Sequence, residues 1–193
     1  MQPSLLQPPA GKAFAMVSIG NVDQKLFKRV KNFVNKNYSC PVRIKPARKS
    51  FGKIPEKEAK KLAKLLGPND ICLLALINMP GPGFKEKVFK SSNVALLNMR
   101  ALKPKSANSR LKLHLEPKEQ YACRVEKESM RLIGLLIGLK SCPWPRCCMY
   151  AHRNDYEFDT KGRNLCPPCH GKAEKILRQL GVKQAYLERR NHR

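Results

Sequence analysis

From residue 13 to 19 the chain reads A-F-A-M-V-S-I, a short unbroken apolar run of the kind a buried strand requires. Asn21 or Asp23 can then cap a helix, and Leu26, Val30, Phe33 and Val34 fall on one face of it, with lysines and arginines on the other. Cys40 to Pro46 alternates Val42 and Ile44 with basic residues and predicts a half-exposed strand. A basic loop over 47–54 leads to Pro55, a helix-starting proline, with Glu56 and Glu58 near the positive end of the dipole and Gly67-Pro68 as the stop. Asp70 to Met79 holds I-C-L-L-A-L-I, a run that suits a central strand covered on both faces. Pro80-Gly81-Pro82-Gly83 breaks it; Val88-Phe89 predicts a short edge strand and Asn93 to Met99 another strand. Ala101 to Leu115 is basic and weakly patterned, and a long helix is expected from Pro117 to Leu139, apolar all round in its second half and so crossing the core.

Strands interleaved with helices predict an α/β (α+β) domain with a mixed sheet, spanning all 193 residues. Within it we expect an N-terminal extension (1–12), a sheet-and-helix core (13–140), a cysteine-rich module (141–180) and a basic C-terminal tail (181–193). No internal repeat is visible. No stretch approaches the roughly 18 apolar residues of a membrane span, and the N-terminus lacks the basic start and apolar run of a secretory signal.

Charge changes the picture. Lys and Arg number 39 against 14 Asp and Glu, a formal net charge of +25. Such a field attracts polyanions, which predicts weak, sequence-independent binding of nucleic acid through a basic surface. The basic residues are spread over the whole chain and aromatics are only 7%, too few for a platform that stacks single strands.

The eight cysteines divide into two groups. Cys40, Cys72 and Cys123 sit singly inside predicted elements and read as small buried hydrophobes. The other five crowd between Cys142 and Cys169, where C-P-W-P-R-C and C-P-P-C form two close pairs. Clustered cysteines without a secretory signal point to metal and to a reducing, cytoplasmic setting. Four thiolates at Cys142, Cys147, Cys166 and Cys169 suit one structural zinc ion, which has no directional preference of its own; an iron–sulfur cluster stays open from the ligands alone. Cys148 is a spare expected to point away, and Lys140, Arg146, Arg153, Lys161 and Arg163 are expected around the cluster to offset its charge.

A helix running into Cys142, then C-x4-C-x-M and a later C-x2-C, resembles the archaemetzincins, zinc peptidases of metzincin type. Their pattern is H-E-x-x-H-x-x-G-x-x-H-C, with a four-cysteine zinc site directly after it. Anchored on Cys142, that pattern places Arg131 at the first His, Leu132 at the Glu, Leu135 at the second His, Gly138 at the Gly and Ser141 at the third His. Met149 falls at the Met-turn, Lys127-Glu128 matches a pair that often precedes the motif, and V-F-K-S-S-N-V-A-L-L-N-M-R-A-L is similar to the family's edge strand and the strand after it. A rival register with Lys127-Glu128 on the H-E and Gly134 on the Gly puts Ile137 on the third His, and restores no histidine.

The resemblance implies a metzincin-like fold with a retained structural zinc and a lost catalytic one. Arg cannot ligate zinc, and Leu132 and Leu135 offer neither a base nor a lone pair. A partly buried Arg131 wants a carboxylate: Glu128 three residues earlier, a group from the sheet, or a bound anion. The helix face carrying Arg131, Leu135 and Gly138 is expected to be a plain apolar core face. The function expected is therefore binding or scaffolding toward a protein or peptide. The alternatives are a basic nucleic-acid-binding zinc protein, or an enzyme built on Cys123, Ser129, His114 or the C-P-P-C pair, for none of which a paired base is visible.

Overall fold

The computed structural model describes residues 11–81, 83–104 and 116–183. Most of the N-terminal extension, most of the basic tail, most of the 101–115 segment and His114 lie outside the described residues.

Among the described residues five strands form one mixed sheet: β1 (Ala13–Gly20), β2 (Val42–Ile44), β3 (Asp70–Asn78), β4 (Glu86–Phe89) and β5 (Val94–Asn98), in the order β2-β1-β3-β5-β4. All neighbours pair in parallel except β4, which runs antiparallel to β5 and forms one edge. The two-residue period of a strand sends alternate side chains to opposite faces, and both faces here are buried. Phe14, Met16, Leu74, Leu76, Ala95 and Leu97 point to one side; Ala15, Val17, Ile19, Leu73, Ala75 and Ile77 point to the other. That explains why β1 and β3 read as continuous apolar runs.

The helices are α1 (Gln24–Tyr38), α2 (Pro55–Ala63), α3 (Pro117–Leu136), α4 (Asp155–Thr160) and α5 (Pro167–Gln179). Helix α2 packs Ala59 and Leu62 on the second face. The first face is covered by α1, α3 and α5, through Phe27, Val30 and Val34, then Met130, Leu132 and Ile133, then Ala173 and Leu177. Asp23 caps α1 by accepting from the backbone N–H groups of Lys25 and Leu26 at 2.7 and 3.2 Å. Helices α1 and α3 are joined by Arg29, which holds Glu119 through both terminal nitrogens at 2.6 Å and donates to Glu126 at 2.8 Å.

Two differences from the sequence reading concern helices. Neither α4 nor α5 was expected in the cysteine-rich module, where only two close cysteine pairs were read. Helix α3 ends at Leu136, three residues early. Gly138 takes a left-handed φ of +101°, its N–H bonds Leu135 O at 3.3 Å, and the Leu139 N–H bonds Gly134 O at 2.8 Å. This paired closure of a helix end favours glycine at the left-handed position. The helix therefore ends just before Gly138. At Gly134 a Cβ would lie 2.5 Å from Met149 Sδ and 2.9 Å from Tyr38 Oη, so Met149 packs directly against the last turns of α3.

Candidate metal centre and the charged cleft

The four predicted ligands come together. The sulfurs of Cys142, Cys147, Cys166 and Cys169 lie within 4.8 Å of one another. Local backbone bonds set each one. Cys142 N–H bonds Met149 O at 3.1 Å, and Cys147 N–H closes a turn on Trp144 O at 3.0 Å. Cys166 is the N-cap residue of α5, and Cys169 lies in its first turn, which two prolines start. A zinc tetrahedron with bonds of about 2.3 Å has sulfur–sulfur edges of about 3.8 Å. Cys142 and Cys166 sulfurs stand 3.8 Å apart, so the donor set fits. A contact with the Cys148 thiol, opposed by burial but aided by the Cys166 N–H, pulls the Cys147 thiol down. Cys148 is buried outside the cluster.

The cations expected around the cluster are partly engaged elsewhere. Arg163 pairs with Glu126 at 2.5 Å and Arg153 with Glu157 at 3.9 Å. Lys161 is fully buried and donates to the carbonyls of Cys148 and Tyr150 at 3.2 and 3.4 Å.

The expectation of a plain apolar face on α3 is overturned. Arg124, Lys127, Glu128 and Arg131 are all buried along it, and Glu126 and Ser129 are buried on the opposite side of the helix. Arg131 Nε donates to Glu128 Oε1 at 2.6 Å, and its guanidinium also donates to Glu86 of the edge strand β4. Of the alternatives expected for Arg131, the local Glu128 and a carboxylate from the sheet are both present, the latter being Glu86. Lys161 reaches Glu128 from the module at 3.6 Å. Beside this group, His152 stacks on Phe158 with ring centroids 4.2 Å apart, and its Nε2 lies 2.6 Å from Lys85 Nζ. Sheet edge, central helix and module are thus clamped together by charge. Helix α4 is tied down in the same way: Arg124 grips Asp159 through two bonds of 2.6 Å, and Lys127 donates to the last-turn carbonyls of Phe158 and Asp159 at 3.1 and 2.6 Å.

Burial raises Glu86, to about 7, and the nearby Glu128 carboxylate adds to the rise. Burial works the same way on Glu128, but the contact with Glu86 and the charges of Lys161 and Arg131 hold it well below the usual range. Burial and the Lys161 charge push His152 down to about 4. A group whose folded pKa is depressed favours the folded state above its unfolded pKa, and that contribution fades as pH falls toward the folded value. His152 should therefore weaken the fold progressively from about pH 6.5 to pH 4. Glu86 titrates in the opposite sense between its ordinary range and about 7, so the measurement is a difference. Melting temperature against pH should fall less steeply on the acid side in His152→Gln than in the parent; parallel curves would show that the imidazole stays solvated.

Among the other sequence candidates, Ser129 Oγ is buried without a hydrogen-bond partner and Cys123 is buried with Glu119 at 3.5 Å. Ser141 is exposed, and Leu135 is half-buried. Glu86, Lys85, His152 and Phe158 were not foreseen. Among the described residues no helix is long and apolar enough to cross a membrane.

No family model and no curated protein matches this sequence. Solved structures do. Archaemetzincin from Methanopyrus kandleri is 20% identical with a TM-score of 0.63, covering 88% of this chain and 98% of that one. A zinc-dependent peptidase from Methanocorpusculum labreanum is 18% identical with a TM-score of 0.60, over 82% of this chain and 99% of that one. Archaemetzincin from Archaeoglobus fulgidus, complexed with malonate, is 20% identical with a TM-score of 0.56, over 82% and 98%. The fold is archaemetzincin-like, with a four-cysteine cluster and without the histidine and glutamate motif.

Proposed function

We propose that this chain is a metal-bearing binding protein on a peptidase scaffold: one zinc ion held by Cys142, Cys147, Cys166 and Cys169, and no hydrolytic centre at Arg131, Leu132, Leu135 and Ser141. The observation that carries the reading is the state of Arg131. Its guanidinium is committed to Glu86 and Glu128 where the family pattern has its first histidine. Hydrolysis assisted by a metal needs an ion with an open position, an activated water and a general base, and these four side chains supply none of them. Met149, packed against α3 at Gly134, serves here as the floor of the helix, in the role of a Met-turn residue.

Bound zinc would supply a tetrahedral cross-link, closed to substrate because four thiolates fill its coordination. The chain's own residues do the rest: the knuckle at 142–150 and the start of α5 present the thiolates, and the charged clamp fixes the module on α3. Elemental analysis of purified protein, with a peptide-cleavage assay on the same sample, tests this. We expect one zinc per chain and no cleavage. A second zinc, or cleavage that a chelator abolishes, would overturn the reading of the lost site; cysteines found as disulfides with no metal would overturn the zinc.

A further inference from the structure

A groove of about 1060 Å³ opens on the outer side of the cysteine cluster, between the segment 138–144 and α5. It contains no residue of β4 and neither Arg131 nor Leu135, so it is separate from the charged cleft. Its walls are apolar, formed by Leu139, Trp144, Ile176 and the two prolines that start α5. Trp144 is the single tryptophan of the chain, lies between Pro143 and Pro145, and is 58% exposed. A large aromatic held open by flanking prolines is costly in water and is a strong anchor once covered. Lys140, Lys172 and Lys175 line the groove, all exposed, and among the described residues no Asp or Glu does. Their three charges exceed the two negative charges of a zinc-loaded four-thiolate centre in the groove wall.

Charge decides what can fill it. The chain's own segments outside the described residues are poor candidates: residues 184–193 carry three arginines and one glutamate, 105–115 carry basic residues and no acid, and 1–10 carry no charged side chain. A second copy, at a net charge of +25, is repelled. Nucleic acid answers the lysines but would use only one stacking surface in an otherwise aliphatic groove, whereas strand binders present several aromatics.

We propose that this groove binds an acidic segment of a partner protein, with bulky apolar side chains seated against Trp144 and Ile176 and carboxylates on Lys140, Lys172 and Lys175. The inference rests on the metal-bearing reading above, because Cys142, Cys166 and Cys169 form part of the wall. Trp144 emission reads the site without a label. Full-length, metal-loaded protein is titrated with an array of short synthetic peptides in which Asp and Glu alternate with each apolar residue in turn. Acidic peptides carrying Phe or Leu should shift the emission to the blue, with affinity at least ten-fold weaker in Lys172→Glu combined with Lys175→Glu. Basic peptides of equal apolar content should give no shift. The proposal is overturned by silence across the array, by an oligothymidylate that binds more tightly than any acidic peptide, or by red-shifted emission in Tyr186→Ser combined with Leu187→Ser, which would assign the groove to the chain's own tail. Zinc measured on the same sample keeps the two readings apart: one zinc with a silent groove sinks the groove alone, and peptide binding without metal sinks the zinc alone.

Discussion

Stripping the metal with a chelator, or replacing Cys166 by Ser, is expected to lower the melting temperature by 10 °C or more (about 3–5 kcal/mol for a chain of this size). The estimate is modest beside the roughly 10–16 kcal/mol with which structural zinc folds isolated fingers, because this module also has apolar support. Cys147, Met149, Phe158, Cys169, Ala173 and Leu177 belong to the same buried cluster as Phe14 and Met16 of β1. Loosening residues 141–170 therefore exposes part of the main core as well as the knuckles. Thermal denaturation of the parent, the stripped protein and Cys166→Ser measures the loss directly. A stripped sample that melts with the parent would mean that packing alone holds the module and that the cluster is incidental to the fold.

Arg131→Met should cost about as much, roughly 3–5 kcal/mol near neutral pH. The side chain of Glu128 has 0% exposure and that of Arg131 11%, so removing the cation strands a carboxylate with Lys161 as its remaining near partner. Arg131→Lys should recover only part of the loss, since an ammonium cannot serve Glu86 and Glu128 together with the geometry of a guanidinium. The deficit should shrink as pH falls below about 6, where Glu86, already raised to about 7, holds its proton and one stranded charge disappears. Denaturant unfolding of the three proteins at pH 7 and pH 5 gives these differences. A loss under about 1 kcal/mol at pH 7 would show that water reaches the pair and screens it, as at an exposed surface.

The strands and first three helices were legible because their patterns are local and their starts are marked, by Asp23 for α1 and by Pro55 and Pro117 for α2 and α3. The metal cluster was legible because its ligands lie in two short pairs. Helices α4 and α5 had signals that went unread. Asn154 caps α4 by accepting from the Glu157 N–H at 2.9 Å, while Glu157 accepts from the Arg153 N–H at 2.8 Å, an N-x-x-E signature. Pro167-Pro168 opens α5, with Ala173, Ile176 and Leu177 at helical spacing behind them. Reading C-P-P-C as a metal turn hid its second use as a helix start. The charged cleft was a different matter. Only the Glu128–Arg131 pair is local; Glu86 lies 45 residues from Arg131, and Lys161 comes from the module. A helix rich in leucine and isoleucine looks apolar until the fold reveals which of its polar residues meet.

The placement of the last helix bears on how the chain can be made. Helix α1 follows β1 directly and covers part of its face, with Phe14 against Tyr38, whereas Ala173, Leu177 and Val182, which complete the same cluster, come from the far end of the described residues. Proteins are synthesised at about 5–20 residues per second, which leaves the part of the cluster that α5 closes open for several seconds after α1 has formed. During synthesis the sheet is thus partly covered by α1 and α2 early, and the cluster is closed only when the cysteines and α5 arrive together.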